Sequence, residues 1–386
     1  MSLRERRLRP ARGSVATENH ALLSALVALA VSLVAGIVVF AGDTAPLFGG
    51  VSAGLVAAVA SGVSGAAAFC TGYVRSSRAP RLGSGAGSGA GSGAGSGVGR
   101  PAGRWRRGFD AVVLTVTAAG IVVLLTASAF AVFDLAFREL RLDALMAAVL
   151  VGLSAAVAAY VLTLVSVEVT SIAIANLLAL FLVSGSLASM LSANDPHWWQ
   201  VNFSALGVGG GFSAYAFNIT LIFAGLAMTT LTHYVIGDLR TWATTPELRR
   251  LEVLRTWLIG VAVLLVGLGW VTVEVAKALH TVIASVMTVL FAGLIVATPY
   301  LVPRLPRSFL VTSSLFVSVF ALVVLLMWPV GYFNLTAVEF LGFFLLLTWL
   351  FLFVRTVAAC LQDARADDRA EPVGADPVEV EALAPG

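Results

Sequence analysis

Charge is what this chain has least of. Only 12% of its 386 residues are Asp, Glu, Lys or Arg, while 59% are hydrophobic. Water-soluble domains run at about 25% charged and about 45–50% apolar. A soluble globular fold is therefore excluded, and a bilayer, whose lipid replaces the missing aqueous surface, is the solvent that suits the chain. Cysteine is nearly absent. Cys70 and Cys360 are the only two; they fall in different segments, which excludes a disulfide framework. Lysine occurs once, at Lys277, and every other basic residue is arginine. With the excess of Ala, Val and Gly, that bias reads as a high-GC bacterial source.

Chemical motifs are equally scarce. The four histidines, His20, His197, His233 and His280, are scattered along the chain, with no His-Glu-x-x-His and no Cys-x-x-Cys. A zinc centre is not indicated. The absence of P-loop spacing argues against a nucleotide-driven pump. Gly207, Gly209, Gly210 and Gly211 lie between apolar segments and not after a strand, which does not fit a phosphate cradle. The sequence implies no cofactor and no nucleic-acid partner.

What is present is a series of long apolar runs. A helix needs about 20 mostly apolar residues to cross about 30 Å of hydrocarbon. Ten segments qualify, near 21–41, 51–73, 110–132, 144–167, 170–192, 213–235, 254–274, 279–300, 308–328 and 333–354. The expected fold is all-α and integral to the membrane, with about ten transmembrane helices. The narrowest break is Val167-Glu168-Val169-Thr170, which reads as a tight turn. The basic start and first apolar run lack a small-residue cleavage site, so the first span reads as a retained helix and not a signal peptide.

Arginine sets the expected orientation. With both termini cytoplasmic, 21 of the 24 Lys and Arg residues fall on cytoplasmic segments, and only Arg138, Arg141 and Lys277 fall outside. The opposite topology inverts that ratio against the positive-inside rule. Tryptophan, which favours the interface, agrees: Trp198, Trp199, Trp270 and Trp328 map to outer span ends, and Trp105, Trp242, Trp257 and Trp349 to inner ones. The expected location is a bacterial plasma membrane.

The chain divides accordingly. Residues 1–20 form a basic cytoplasmic tail, 21–73 a two-helix hairpin, and 74–108 a Gly/Ser-rich cytoplasmic linker. Residues 109–168 form a second hairpin, 169–355 a six-helix domain, and 356–386 an acidic tail expected to be disordered. The repeat over 83–99 has no apolar face and reads as a flexible tether. The tails are candidate docking segments for a protein partner; oligomeric state is not legible. In the second span Gly50, Gly54, Ala58, Gly62 and Ala66 recur at every fourth position, which predicts a close backbone approach, most simply to the first helix. Thr245-Pro246-Glu247 predicts a helix start with Thr245 as the N-cap.

Ionisable groups within spans are functional candidates by default. Glu339 lies about six residues into the tenth span, His280 opens the eighth, and Asn218 lies about one turn into the sixth. Glu274 and Lys277 are placed in the turn before the eighth span, and Asn334 starts the tenth. Above them runs the outer loop that holds Asp195, His197, Asn202, Ser204 and Gly207. These residues converge toward the outer surface. The plain alternative is helix-end snorkelling with Glu339 paired to His280. Because the inner half of the later spans shows little beyond scattered Ser and Thr, the pattern favours a site open to the outer leaflet over a through path.

Asn202-Phe203-Ser204-Ala205-Leu206-Gly207, with Phe217-Asn218 and Gly225, resembles the loop-and-helix signature of a bacterial membrane family of unknown function (DUF 998). That family is similar to the six-span damage-regulated autophagy modulator group. There an outer loop carries Ser-Asp-x-Gly, a later helix starts with His, and the last helix carries Glu. Ser204, Gly207, His280 and Glu339 fall in that order over about 170–355, although Ala205 stands where the loop acid would be. The resemblance implies a non-catalytic lipid-associated role in the cell envelope. The leading expectation is thus a lipid-binding or envelope-homeostasis protein with membrane lipids as partners. Its pocket would be lined by Asp195, His197, Asn202, Ser204, Gly207, Asn218, His280 and Glu339. A small-amphiphile transporter is one alternative. A lipid-modifying enzyme with His280 and Glu339 as base and orienter is another, though no nucleophile stands out.

Overall fold

A computed structural model describes residues 12–78, 104–167 and 169–370. The linker repeat, Glu168, the first eleven residues and the last sixteen of the acidic tail lie outside the described residues. Among the described residues, ten helices carry the fold. They are α1 (Arg12–Val39), α2 (Ala53–Arg78), α3 (Arg104–Ala136), α4 (Ala144–Val167), α5 (Ser171–Leu191), α6 (Phe212–Arg240), α7 (Glu247–Trp270), α8 (Val273–Leu301), α9 (Arg307–Met327) and α10 (Leu335–Ala370). Each is long and apolar enough to cross a bilayer. The surface agrees: Leu26, Val31, Val38, Val289, Val311 and Leu322 are among many large apolar side chains left exposed along the helices. In water such belts would drive aggregation; in lipid they are the expected exterior. The protein is a multi-pass membrane protein.

The helices alternate in direction, so the connections sort to two ends. One end carries the loops 40–52, 137–143, 192–211 and 328–334 and the short Val271-Thr272 turn; we call it the loop end. Strands β1 (Ala45–Pro46) and β2 (Arg141–Leu142) pair antiparallel there, with Ala45 opposite Leu142, and tie the first two loops together. The opposite, arginine end carries the ion pairs Arg240–Glu252, Arg255–Glu252 (3.3 Å) and Arg304–Glu247 (3.4 Å), and the Arg304 guanidinium lies over Trp242.

Packing departs from the sequence expectation in several places. The small-residue face of α2 does not meet α1. A Cβ on Gly54 would lie 2.6 Å from the Phe130 Cβ, and one on Gly62 would strike Val123, so that face receives α3. The first helix lies on α4 instead, where Gly36 sits against the Ala148 backbone. Spacing revealed the close approach but could not name the partner. Trp349 is not an interfacial anchor: it is wholly buried, stacked on Phe353 at 5.3 Å, edge-on to Phe291, and its indole N–H donates to the Ser313 Oγ at 2.9 Å. An indole is tolerated in a core when its N–H finds such a partner.

Helix ends also shift. The disorder expected from residue 356 is corrected as far as Ala370, because Val357 and Leu361 bury an apolar face and extend α10. Glu274 and Lys277 belong to the first turns of α8 and not to the preceding turn; Thr272 caps that helix, and Ala276 breaks it with φ −154° and ψ 77°. At α7 the Thr245 cap is not made. The Glu247 carboxylate accepts the Thr244 amide at 2.7 Å instead. The tight turn before α5 is closed by Thr170, whose hydroxyl accepts the Ala173 N–H at 3.2 Å.

Candidate functional site

The site grows from the connection between α5 and α6. Asp195 opens it with a local turn, its Oδ1 accepting the His197 amide at 2.8 Å. Two 3₁₀ turns follow, Trp198–Gln200 and Phe203–Gly207. Such a polar backbone stays ordered only if its groups are paired and some apolar side chain is buried. Phe203 supplies the burial. Its ring is 7% exposed and packs edge-on to Phe217 of α6 (5.3 Å) and Phe340 of α10 (5.7 Å), with Trp198 and Phe343 beside it.

Polar side chains of three helices then take up the loop backbone. The Phe203 N–H donates to the Glu339 Oε2 of α10 at 2.6 Å. Asn218 of α6 donates its Nδ2 to the Gly207 carbonyl at 2.9 Å. Glu274 of α8 accepts the Gly209 amide at 2.9 Å, and Asn334 donates to the Trp199 carbonyl at 3.0 Å while capping α10 at Ala337. Gly207 is required by close approach, since a Cβ there would lie 2.5 Å from the Asn218 Oδ1.

His280 makes two bonds of different kinds. Its Nδ1 lies 2.6 Å from the Val271 carbonyl, and its Nε2 lies 3.1 Å from the Ser204 Oγ. A carbonyl can only accept, so Nδ1 carries the proton. In the neutral ring Nε2 is then the acceptor, and Ser204 donates its hydroxyl hydrogen to it. His280 is 6% exposed and Ser204 half-buried. The anticipated Glu339–His280 pair is replaced by these contacts: the carboxylate is engaged by the Phe203 amide, and the imidazole by a backbone carbonyl and a serine.

Beside this cluster lies a cavity of about 320 Å³. Asn194, Asp195 and Asn202 are among its polar lining residues, and Trp198, Leu206 and Val273 among its apolar ones. Its volume is at the low end of the about 300–1,000 Å³ of small-molecule sites. The Asn202 Oδ1 is buried and has no hydrogen-bond partner. A buried carbonyl oxygen left unpaired costs about 1–3 kcal/mol.

Of the eight residues anticipated from sequence, Asp195 and Asn202 line the cavity. Ser204, Gly207, Asn218, His280 and Glu339 hold the loop that forms its wall. His197 does neither: it is exposed, with Nδ1 3.7 Å from the Asp195 carboxylate. Sequence reading missed the Val271 carbonyl and the Phe203 amide, which no residue-type pattern reveals. It also missed carboxylates near the arginine end. Asp110 of α3 is 5% exposed and accepts the Thr230 hydroxyl at 3.3 Å, and Ser171 bonds Asp238. Asp110 stood at the edge of a span and half-buried Asp238 just beyond one, so neither registered as a span residue.

No family model, curated protein or solved structure matches this chain.

Proposed function

We propose that this multi-pass membrane protein binds a membrane amphiphile at its loop end, with the polar part held in the cavity under the 192–211 loop. The observation that carries the reading is the mixed lining: Asn194, Asp195 and Asn202 line the cavity together with Trp198, Leu206 and Val273. A headgroup bearing hydrogen-bond donors with an attached apolar chain matches that mixture. The resemblance of the loop to a membrane family of unknown function, itself similar to a group linked to lipid handling, is consistent with the same reading. The sorting of arginine supports cytoplasmic termini and a loop end on the outer face, and the arginine, Ala, Val and Gly bias supports a bacterial plasma membrane. The bundle beneath is filled by Trp349, Phe353, Phe291 and Phe181, which favours a site open to one end over a transport path.

Mass spectrometry of lipids retained by the purified protein tests this. Wild type should enrich one lipid class. Asn202→Leu, which removes the polar partner, and Ala205→Phe, which fills the cavity, should abolish the enrichment. Equal, unselective lipid in all three proteins would overturn the reading.

A further inference from the structure

We infer that Ser204 and His280 form a nucleophile–base pair that cleaves a carboxylic ester of the bound amphiphile. The inference rests on the amphiphile-binding reading and gives that site a reaction. Three observations converge. First, the Ser204 hydroxyl faces the acceptor nitrogen of a buried imidazole at 3.1 Å, the geometry by which a weak hydroxyl nucleophile is activated. Second, the imidazole is held in the required tautomer from its far side, by the Val271 carbonyl at 2.6 Å. That carbonyl takes the place of the orienting carboxylate in serine hydrolase triads, as a dipole without a full charge. Third, the cavity runs along the same stretch of chain. Asn202 and Ala205 flank Ser204 in sequence and line it, and so does Val273, two residues beyond the carbonyl that holds the ring.

If the pair served only to fasten the loop, either partner could be any donor or acceptor, and the loop has other ties. Glu339, Asn218, Glu274 and Asn334 already hold its backbone at Phe203, Gly207, Gly209 and Trp199. The Ser204–His280 bond differs from all of them in joining two side chains, one nucleophilic and one basic.

The chemistry balances with water as co-reactant. The Ser204 Oγ bonds to the ester carbonyl carbon while its proton passes to the His280 Nε2. The carbon–alkoxy bond then breaks, and the leaving alcohol takes that proton, which leaves an acyl group on Ser204. Water attacks the acyl carbon, gives a proton to Nε2, and the Ser204 oxygen departs and regains it. The products are a carboxylic acid and an alcohol. No oxidant, metal or nucleotide enters.

A fluorophosphonate probe, which phosphonylates activated serines, provides the test on the full chain in lipid vesicles. The adduct should map to the peptide carrying Ser204. His280→Gln, which can still donate to the Val271 carbonyl, should slow labelling at least tenfold, and Ser204→Ala should remove it. Absence of a Ser204 adduct in wild type, or equal labelling in His280→Gln, overturns the inference. Selective lipid retention without labelling would leave the binding reading standing and refute only the reaction. Labelling without selective lipid would leave Ser204 an activated serine but overturn its action on a bound amphiphile.

Discussion

Glu339 offers the sharpest test of how the loop is held. Its carboxylate accepts the Phe203 amide at 2.6 Å, at the point where the loop's one deeply inserted ring enters between α6 and α10. Glu339→Leu keeps the apolar stem and removes the acceptor. The amide of a buried residue is then left without its partner, which costs about 2 kcal/mol, in the range for leaving a buried donor unsatisfied. Because other side chains still tie the loop at Trp199, Gly207 and Gly209, the cost should appear as local opening and not as unfolding of the bundle. A shift of about 2 kcal/mol is about 30-fold in the opening equilibrium. Hydrogen exchange read by mass spectrometry should therefore show peptides over 198–209 exchanging about 30-fold faster, with peptides from mid-α5 and mid-α6 unchanged. Glu339→Gln keeps a carbonyl oxygen and should shift exchange by less than about tenfold. Unchanged exchange in Glu339→Leu would refute the assignment of this contact as a loop tie. Faster exchange throughout α10 would show that the carboxylate supports the helix and not the loop.

Three further outcomes follow from the packing. Gly54→Leu should destabilise the bundle by about 1–3 kcal/mol, because its Cβ has no room against Phe130, whereas Gly210→Ala, with open space around it, should leave thermal stability unchanged; equal melting temperatures would contradict the α2–α3 contact. Ser313→Ala strands the buried Trp349 indole N–H and should cost about 1–3 kcal/mol, while Trp349→Ala should cost about 3–5; a silent Ser313→Ala would mean that the indole bond adds nothing. For orientation, a protein lacking Cys70 and Cys360 but carrying Gly210→Cys should react with a membrane-impermeant maleimide in intact cells, and one carrying Thr245→Cys only after permeabilisation. The reversed pattern would put the termini outside.

Much of the architecture was legible because it depends on transfer energetics that are nearly local. Twenty apolar residues cannot remain in water, and inside lipid their backbone must close its own hydrogen bonds as helix. The ten helices accordingly lie where the apolar runs do. Boundaries were read less well. The extension of α10 to Ala370 and the start of α8 at Val273 depend on side chains such as Leu361 and Thr272 finding a surface or a cap outside the span. The small-residue face of α2 announced a close contact, but which helix fills it depends on how α1, α3 and α4 are arranged around it.

The candidate site divides in the same way. The sequence alone determined that Ser204, His280 and Glu339 lie at one end of the bundle, since each sits near a span terminus on the same side. It could not determine pairing. His280 meets Ser204, 76 residues away, and Glu339 meets the amide of Phe203, 136 residues away, because the Phe203 ring draws the loop down between α6 and α10. Span depth is a property of one helix and can be read from its own residues. A hydrogen bond between two helices, or between a helix and a loop, is a property of their packing, and only the tertiary structure decides it.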